Sequence, residues 1–195
     1  MESSDPILVE IQKPVAIITF NRPHTRNSLS VDVLQLLDQI VSELTAISDI
    51  NGLIFTGREN VFLSGADIRE LRSLDYDAAL IFSERGQRLF QTIAHVRQKT
   101  IAAINGFCMG GGLDFALACD IRVAAPSAEF AHPGARLGII TGWGGTQRLP
   151  RLINRSRAIE FFITARRLSA MEAFNIGLVD AVHPSPVHYS LQVSQ

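Results

Sequence analysis

Lysine is nearly missing from this chain, where it occurs only as Lys13 and Lys99 among 18 basic residues. Cysteine is as scarce: Cys108 and Cys119 have neither zinc-ligand spacing nor disulfide density. A cysteine-built metal centre and a disulfide-stapled scaffold are thereby excluded, neither thiol is given a role, and a reducing compartment, the cytoplasm, is the expected address. An excess of either charge is absent too. With 18 basic against 19 acidic residues the net charge is −1, so no overall field draws nucleic acid or an anionic membrane. No apolar run approaches the ~20 residues of a membrane span, and "MESSDPILVE" lacks the basic and apolar blocks of a signal peptide.

What remains is ample material for one core. The chain has 195 residues and 47% hydrophobic content, enough for a single domain acting on small molecules or proteins. Its cations are mostly arginine, which suits planar, bidentate contacts to phosphate or carboxylate.

Short β-branched runs alternate with helical periods. "ILVEIQ" and "PVAIITF" read as two strands around a "KP" turn. Val33, Leu34, Leu37, Ile40, Val41 and Leu44 recur at helical spacing behind Ser30 as N-cap. "GLIFTG", "TIAAING" and "DIRVAA" read as buried strands. Residues 78–96 read as a helix with Ile81, Leu89, Phe90 and Ile93 inward, and Leu113–Ala118 as a short apolar helix. The rest is expected to be helical: "GGTQRL", "SRAIEFFITA", and "SAMEAFNIG" with a Ser169/Glu172 capping box and a Gly177 stop. Such alternation predicts an α/β fold without internal repeat or linker.

The stretch "CMGGGLDFAL" is the anomaly. Three successive glycines add no packing surface and cost backbone entropy in a strand or a helix. One reading is close packing of helix on strand; the other is backbone kept bare so that a ligand can approach. A second loop, "FLSGADIREL", also follows a buried strand, and by itself it reads as a turn with Asp67 capping a helix. Neither loop fits the dinucleotide or P-loop phosphate patterns. Taken together, they can present two main-chain N–H groups to an oxyanion.

Five segments in order, "NRPHTRNSLS", "FLSGADIREL", "AAINGFCMGGGLDFALACDIRVAA", "LGIITGWGGTQRLPRLI" and "RRLSAMEAFNIGLVDAVHP", resemble the signatures of the crotonase superfamily, the enoyl-CoA hydratases and isomerases. The resemblance implies a crotonase-like spiral of ββα units that binds acyl-CoA thioesters. The thioester oxygen would lie between the N–H groups of Ala66 and Gly111. Coenzyme A would enter as part of the substrate, with no separate cofactor and no metal. Its adenine would lie against Ser64, Ala66 and Ile68, with Arg26 and Arg69 near its phosphates; the alternative for either arginine is a solvated surface charge. Relatives of this kind form trimers or pairs of trimers, so a homo-oligomer is expected.

Two departures from the family pattern matter. Its hydratases use two glutamates, the first of which matches Asp114 and the second Gly134, where no acid stands. Asp114 is taken as the catalytic carboxylate, the alternative being a first-turn helix charge. His132, two residues from Gly134, reads first as a packed or surface histidine, although imidazole titrates near neutrality. Family chains also continue through further helices that cover the acyl pocket. The expectation is therefore a crotonase-like core domain over 1–183 with the C-terminal helical region truncated, and an irregular tail over 184–195. The leading function is an enoyl-CoA hydratase or isomerase. The alternatives are a catalytically impaired acyl-CoA-binding or assembly protein, and decarboxylation or thioester hydrolysis on the same pocket.

Overall fold

A computed structural model describes residues 4–194; residues 1–3 and 195, which fall within the expected core and tail segments, lie outside it. The two opening strands, β1 (Ile7–Gln12) and β2 (Val15–Phe20), form the antiparallel hairpin that the sequence predicts. Helix α1 (Val31–Thr45) follows, its Ser30 cap accepting from the Val33 N–H at 3.3 Å.

Three strand pairs then repeat one plan. The first is β3 (Gly52–Gly57) with β4 (Val61–Leu63), the second β5 (Lys99–Ile104) with β6 (Phe107–Met109), the third β7 (Ile121–Ala124) with β8 (Glu129–Ala131). The leading strand of each pair joins one sheet and the trailing strand another. Parallel neighbours β2, β3, β5, β7 and the short β10 (Ala181–Val182) extend from β1 in a six-stranded sheet. β4, β6 and β8 run parallel in a four-stranded sheet closed by antiparallel β9 (Leu168–Ser169). The chain thus winds as a spiral of ββα turns, as expected. β4, β6, β8, β9 and β10 were not anticipated, because strands of two or three residues are too short to display a period of two.

Helices α2 (Ile68–Ser73) and α3 (Tyr76–Ile93) follow the first pair, and α4 (Gly111–Ala116) follows the second. In α3 the inward residues are Phe82, Gly86, Leu89, Phe90 and Ile93. Ile81, expected to face inward, is instead 58% exposed, because Phe82 keeps the four- and seven-residue spacing to the other buried positions and Ile81 is out of phase. After β8 come a 3-10 segment Pro133–Leu137 and helices α5 (Gly145–Ile153), α6 (Arg155–Thr164) and α7 (Ala170–Asn175), the last with the predicted capping box.

The tail is a correction. Residues 184–195 were expected to be irregular, yet Pro186–Val193 forms helix α8. The cause lies in the large sheet. Its strands alternate, so Ala16, Ile18, Phe55 and Ile104 face the main core while Val15, Ile17, Ile54, Ile101 and Val123 face the other way. Val187, Tyr189 and Leu191 of α8 pack on that second apolar face. Burial against a preformed sheet stabilises a segment whose own helical period is weak.

Phe115 on α4 is the centre of the main core. Its ring meets Phe20, Phe55 and Phe90 edge-on at 5.7, 5.0 and 5.4 Å, and Phe62 at a tilt at 6.1 Å. This cluster seats α4, and with it Gly111 and Asp114. Phe115→Ala is expected to cost about 3–5 kcal/mol, read as a lowered urea midpoint in equilibrium unfolding; a loss under about 1 kcal/mol would contradict the packing role.

Candidate active site

The two glycine loops meet. β4 and β6 are neighbouring parallel strands, so the loops leaving them emerge side by side at the same sheet edge. Gly65 has φ +94°, and a Cβ added to it would lie 2.7 Å from the Gly111 nitrogen. The three consecutive glycines have separate reasons. Gly110 takes φ +53°, Gly111 packs against Gly65 and the Trp143 ring, and Gly112 packs against the Leu63 main chain. Close packing, one of the two readings of the sequence, accounts for Gly111 and Gly112.

Each loop is anchored at residues beside the amide in question. Leu29 donates to the Gly65 carbonyl at 2.8 Å and accepts from the Asp67 N–H at 3.4 Å. In such a parallel bridge the residue between, Ala66, turns its own N–H the other way. The second loop is held where the Gly110 N–H donates to the Ala131 carbonyl at 2.9 Å; Gly111 then opens α4, where a first-turn N–H has no intrahelical acceptor. Among the described residues neither the Ala66 nor the Gly111 N–H donates to a main-chain carbonyl.

Two cavities join at these amides, sharing Ser64, Ala66, Ile68 and Pro133. The outer one, about 830 Å³, is an open groove lined by Arg26, Arg69, Arg136 and Arg167. The inner one, about 250 Å³, is walled by Phe82, Leu137, Ile139, Ile140 and Trp143, with Gly111 and Asp114 at its base. Asp114 is 1% exposed. Thr141 donates its hydroxyl to Oδ2, the His132 Nε2 lies 3.3 Å from Oδ1, and a Cβ on Gly145 would collide with Oδ1. Gly134 lines the same cavity, and the Ile139 N–H donates to its carbonyl at 3.0 Å.

In the groove the four guanidiniums differ. Arg69 grips Asp67 through Nε and Nη2, at 3.1 and 2.8 Å. Arg167 pairs with Glu129 at 2.9 Å, and Arg136 donates to the Ala165 carbonyl at 3.2 Å. Arg26 enters no ion pair among the described residues. Both cysteines are buried; burial pushes the Cys108 thiol well up and the Cys119 thiol to about 12, which removes them as nucleophiles.

A family model for enoyl-CoA hydratase/isomerase matches residues 10–193. The chain belongs to the enoyl-CoA hydratase/isomerase family, within the crotonase superfamily. Among its relatives, a short-chain-enoyl-CoA hydratase of Clostridium acetobutylicum is 38% identical over 177 residues, which are 90% of this chain and 68% of that protein. A crotonyl-CoA hydratase of Syntrophomonas wolfei is 41% identical over 180 residues, 90% of this chain and 68% of that protein. The crystal structure of an enoyl-CoA hydratase from Bacillus anthracis superposes with a TM-score of 0.93 at 36% identity, covering 97% of this chain and 75% of that one. The ββα spiral is therefore the fold of an enoyl-CoA hydratase/isomerase family enzyme. No helix among the described residues is long and apolar enough to cross a membrane.

All the site residues singled out in the sequence lie on this one cleft. Asp114 and Gly111 line the inner cavity, Arg26 and Arg69 the groove, and Ser64, Ala66 and Ile68 their junction. The sequence reading missed Thr141, which binds Asp114, Trp143, which backs Gly111, and the groove's Arg136 and Arg167. His132, read as a packed or surface histidine, is packed and buried, with its Nε2 3.3 Å from Asp114 Oδ1. No spacing signal marks them, because they reach the cleft from later segments: Thr141 and Trp143 from the loop before α5, His132 and Arg136 from the 3-10 segment and its start, and Arg167 from the loop before β9.

The grip of Arg69 holds the Asp67 carboxyl at about 2, below its ordinary 3.8, while Asp67 caps α2 by accepting from the Arg69 N–H at 2.9 Å. A depressed acid contributes stability that is full above its unfolded value and is lost as pH falls through the folded one. Comparing urea midpoints near pH 5 and near pH 2.5 should show Asp67→Ala losing about 1 kcal/mol against wild type at the higher pH and distinctly less at the lower. An equal gap at both would refute the linkage.

Proposed function

We propose that this protein binds acyl-CoA thioesters and stabilises the thioester enolate between the Ala66 and Gly111 amides, in hydratase or isomerase chemistry that depends on Asp114. The observation that carries this reading is the position of two uncommitted N–H groups where an arginine-lined groove opens into an apolar pocket. The groove suits a ribonucleotide diphosphate arm, since arginine forks match phosphate oxygens and Arg26 enters no ion pair among the described residues. The pocket suits a short acyl chain. The thioester, between arm and chain, falls at the amides.

An enolate oxygen carries charge that the ground-state carbonyl does not, so donors aimed at it lower the barrier by roughly 3 kcal/mol each. With α4 only six residues long, the two amides themselves rather than a long helix dipole supply this effect. Coenzyme A arrives with the substrate, and the step needs no further cofactor. The printed names of the relatives, short-chain-enoyl-CoA and crotonyl-CoA hydratases, support a short 2-enoyl ester as the first substrate to try. Crotonyl-CoA hydration followed by ultraviolet absorbance should be lowered about 10²–10⁴-fold in Asp114→Asn while calorimetric binding of a saturated ester persists. Binding without turnover by wild type would instead favour the non-catalytic acyl-CoA-binding reading, and a different product from an ester panel would favour decarboxylation or thioester hydrolysis.

Two free, buried thiols suit a reducing compartment such as the cytoplasm. Ile140 and Ile163, 67% and 70% exposed, lie beside a small cavity at the foot of α6 and favour self-association into a trimer or a pair of trimers. Light scattering should give a mass of three or six chains, and a monomer at micromolar concentration would refute it.

A further inference from the structure

Only two titratable side chains among the described residues line the inner cavity, Asp114 and His132. Asp114 is held on both oxygens. Thr141 donates to one, and as a carboxylate, which only accepts, Asp114 takes a hydrogen bond from the His132 Nε2–H at the other. With Asp114 ionised, Nε2 is the nitrogen that donates and Nδ1 the one that accepts. That nitrogen makes no hydrogen bond among the described residues, although the residue is 4% exposed. It lies 3.6 Å from where a Cβ on Gly134 would stand, and His132 and Gly134 both line the inner cavity.

The ring cannot swing away easily. The Phe162 ring of α6 meets it edge-on at 5.0 Å, and Pro133 follows it directly as the first residue of the 3-10 segment. The charged groups around it are few. Asp114 from α4 is the one in contact, Arg136 on its own segment is turned to the Ala165 carbonyl, and the Arg148 guanidinium of α5 acts on Asp114 rather than on the ring. A buried carboxylate, an imidazole oriented by it and a free ring nitrogen facing a cavity form an oriented base.

We propose that His132 is the group that carries the proton at the substrate carbon, with Asp114 as its positioning partner. This rests on the acyl-CoA reading above and names the acid–base residue of that same site. In hydration, an O–H bond of water breaks and its proton goes to Nδ1, while the water oxygen bonds to the β-carbon. The double-bond pair moves to the thioester as an enolate held by the Ala66 and Gly111 amides, and the imidazolium is paired with Asp114. The enolate pair then returns to form a bond from the α-carbon to the proton on Nδ1, restoring neutral His132. The same nitrogen removes an α-proton from a saturated ester to give that enolate, so proton transfer can be tested without hydration.

The measurement is deuterium uptake at the α-carbon of butyryl-CoA in heavy water, followed by mass spectrometry on the full chain. Wild type should exchange well above the rate without enzyme. His132→Gln should lose about 100-fold or more in exchange while its calorimetric affinity for butyryl-CoA stays within about threefold. His132→Asn serves if the glutamine variant does not fold. Exchange within about threefold of wild type in a variant that binds the ester would overturn the assignment. So would a wild type that binds butyryl-CoA without exchange. A wild type that exchanges by this route but does not hydrate crotonyl-CoA would leave His132 in place and remove the hydratase reading.

Discussion

The site depends on one approach of backbone to backbone: the loop after β4 touches the loop after β6 at Gly65 and Gly111. No side chain can mediate it, because the space a Cβ would need is already filled. The approach is possible because β4 and β6 pair in parallel, which brings their carboxyl ends to the same edge of the small sheet. Everything chemical is arranged around that junction. The groove lies on one side, the apolar pocket on the other, and the anchoring bonds to Leu29 and Ala131 fix which amides remain unspent.

The core supports the junction from below. Phe115 follows Asp114 in sequence, so the aromatic cluster that buries its ring also sets the azimuth of α4 and aims the preceding carboxylate into the cavity. Stability and site geometry are thus coupled in one short helix. The same coupling explains why Asp114 can be 1% exposed: its partners Thr141 and His132 supply the hydrogen bonds that water would otherwise give.

Much of the fold was legible because long elements carry their own period. β1, β2, β3, β5, β7 and α1 appear where alternation or 3.6-residue spacing marks them, and the Ser30 and Ser169 caps act as their residue types predict. The short strands of the small sheet were not legible, nor was α8, whose half-buried residues cohere only against a sheet face built from distant strands. In the site, the two glycine loops stood out by composition. Thr141 and His132 did not, since nothing local distinguishes a threonine or histidine that meets a carboxylate 27 or 18 residues away.

The sequence by itself determined the alternation of strand and helix, the family pattern and the need for two bare loops, since these follow from residue types at short range. The tertiary structure alone decided which amides stay unpaired, that groove and pocket join at them, and that Asp114 and His132 face each other. Those properties depend on parallel pairing between strands and on the register of helices packed over them, and neither is encoded within any single segment.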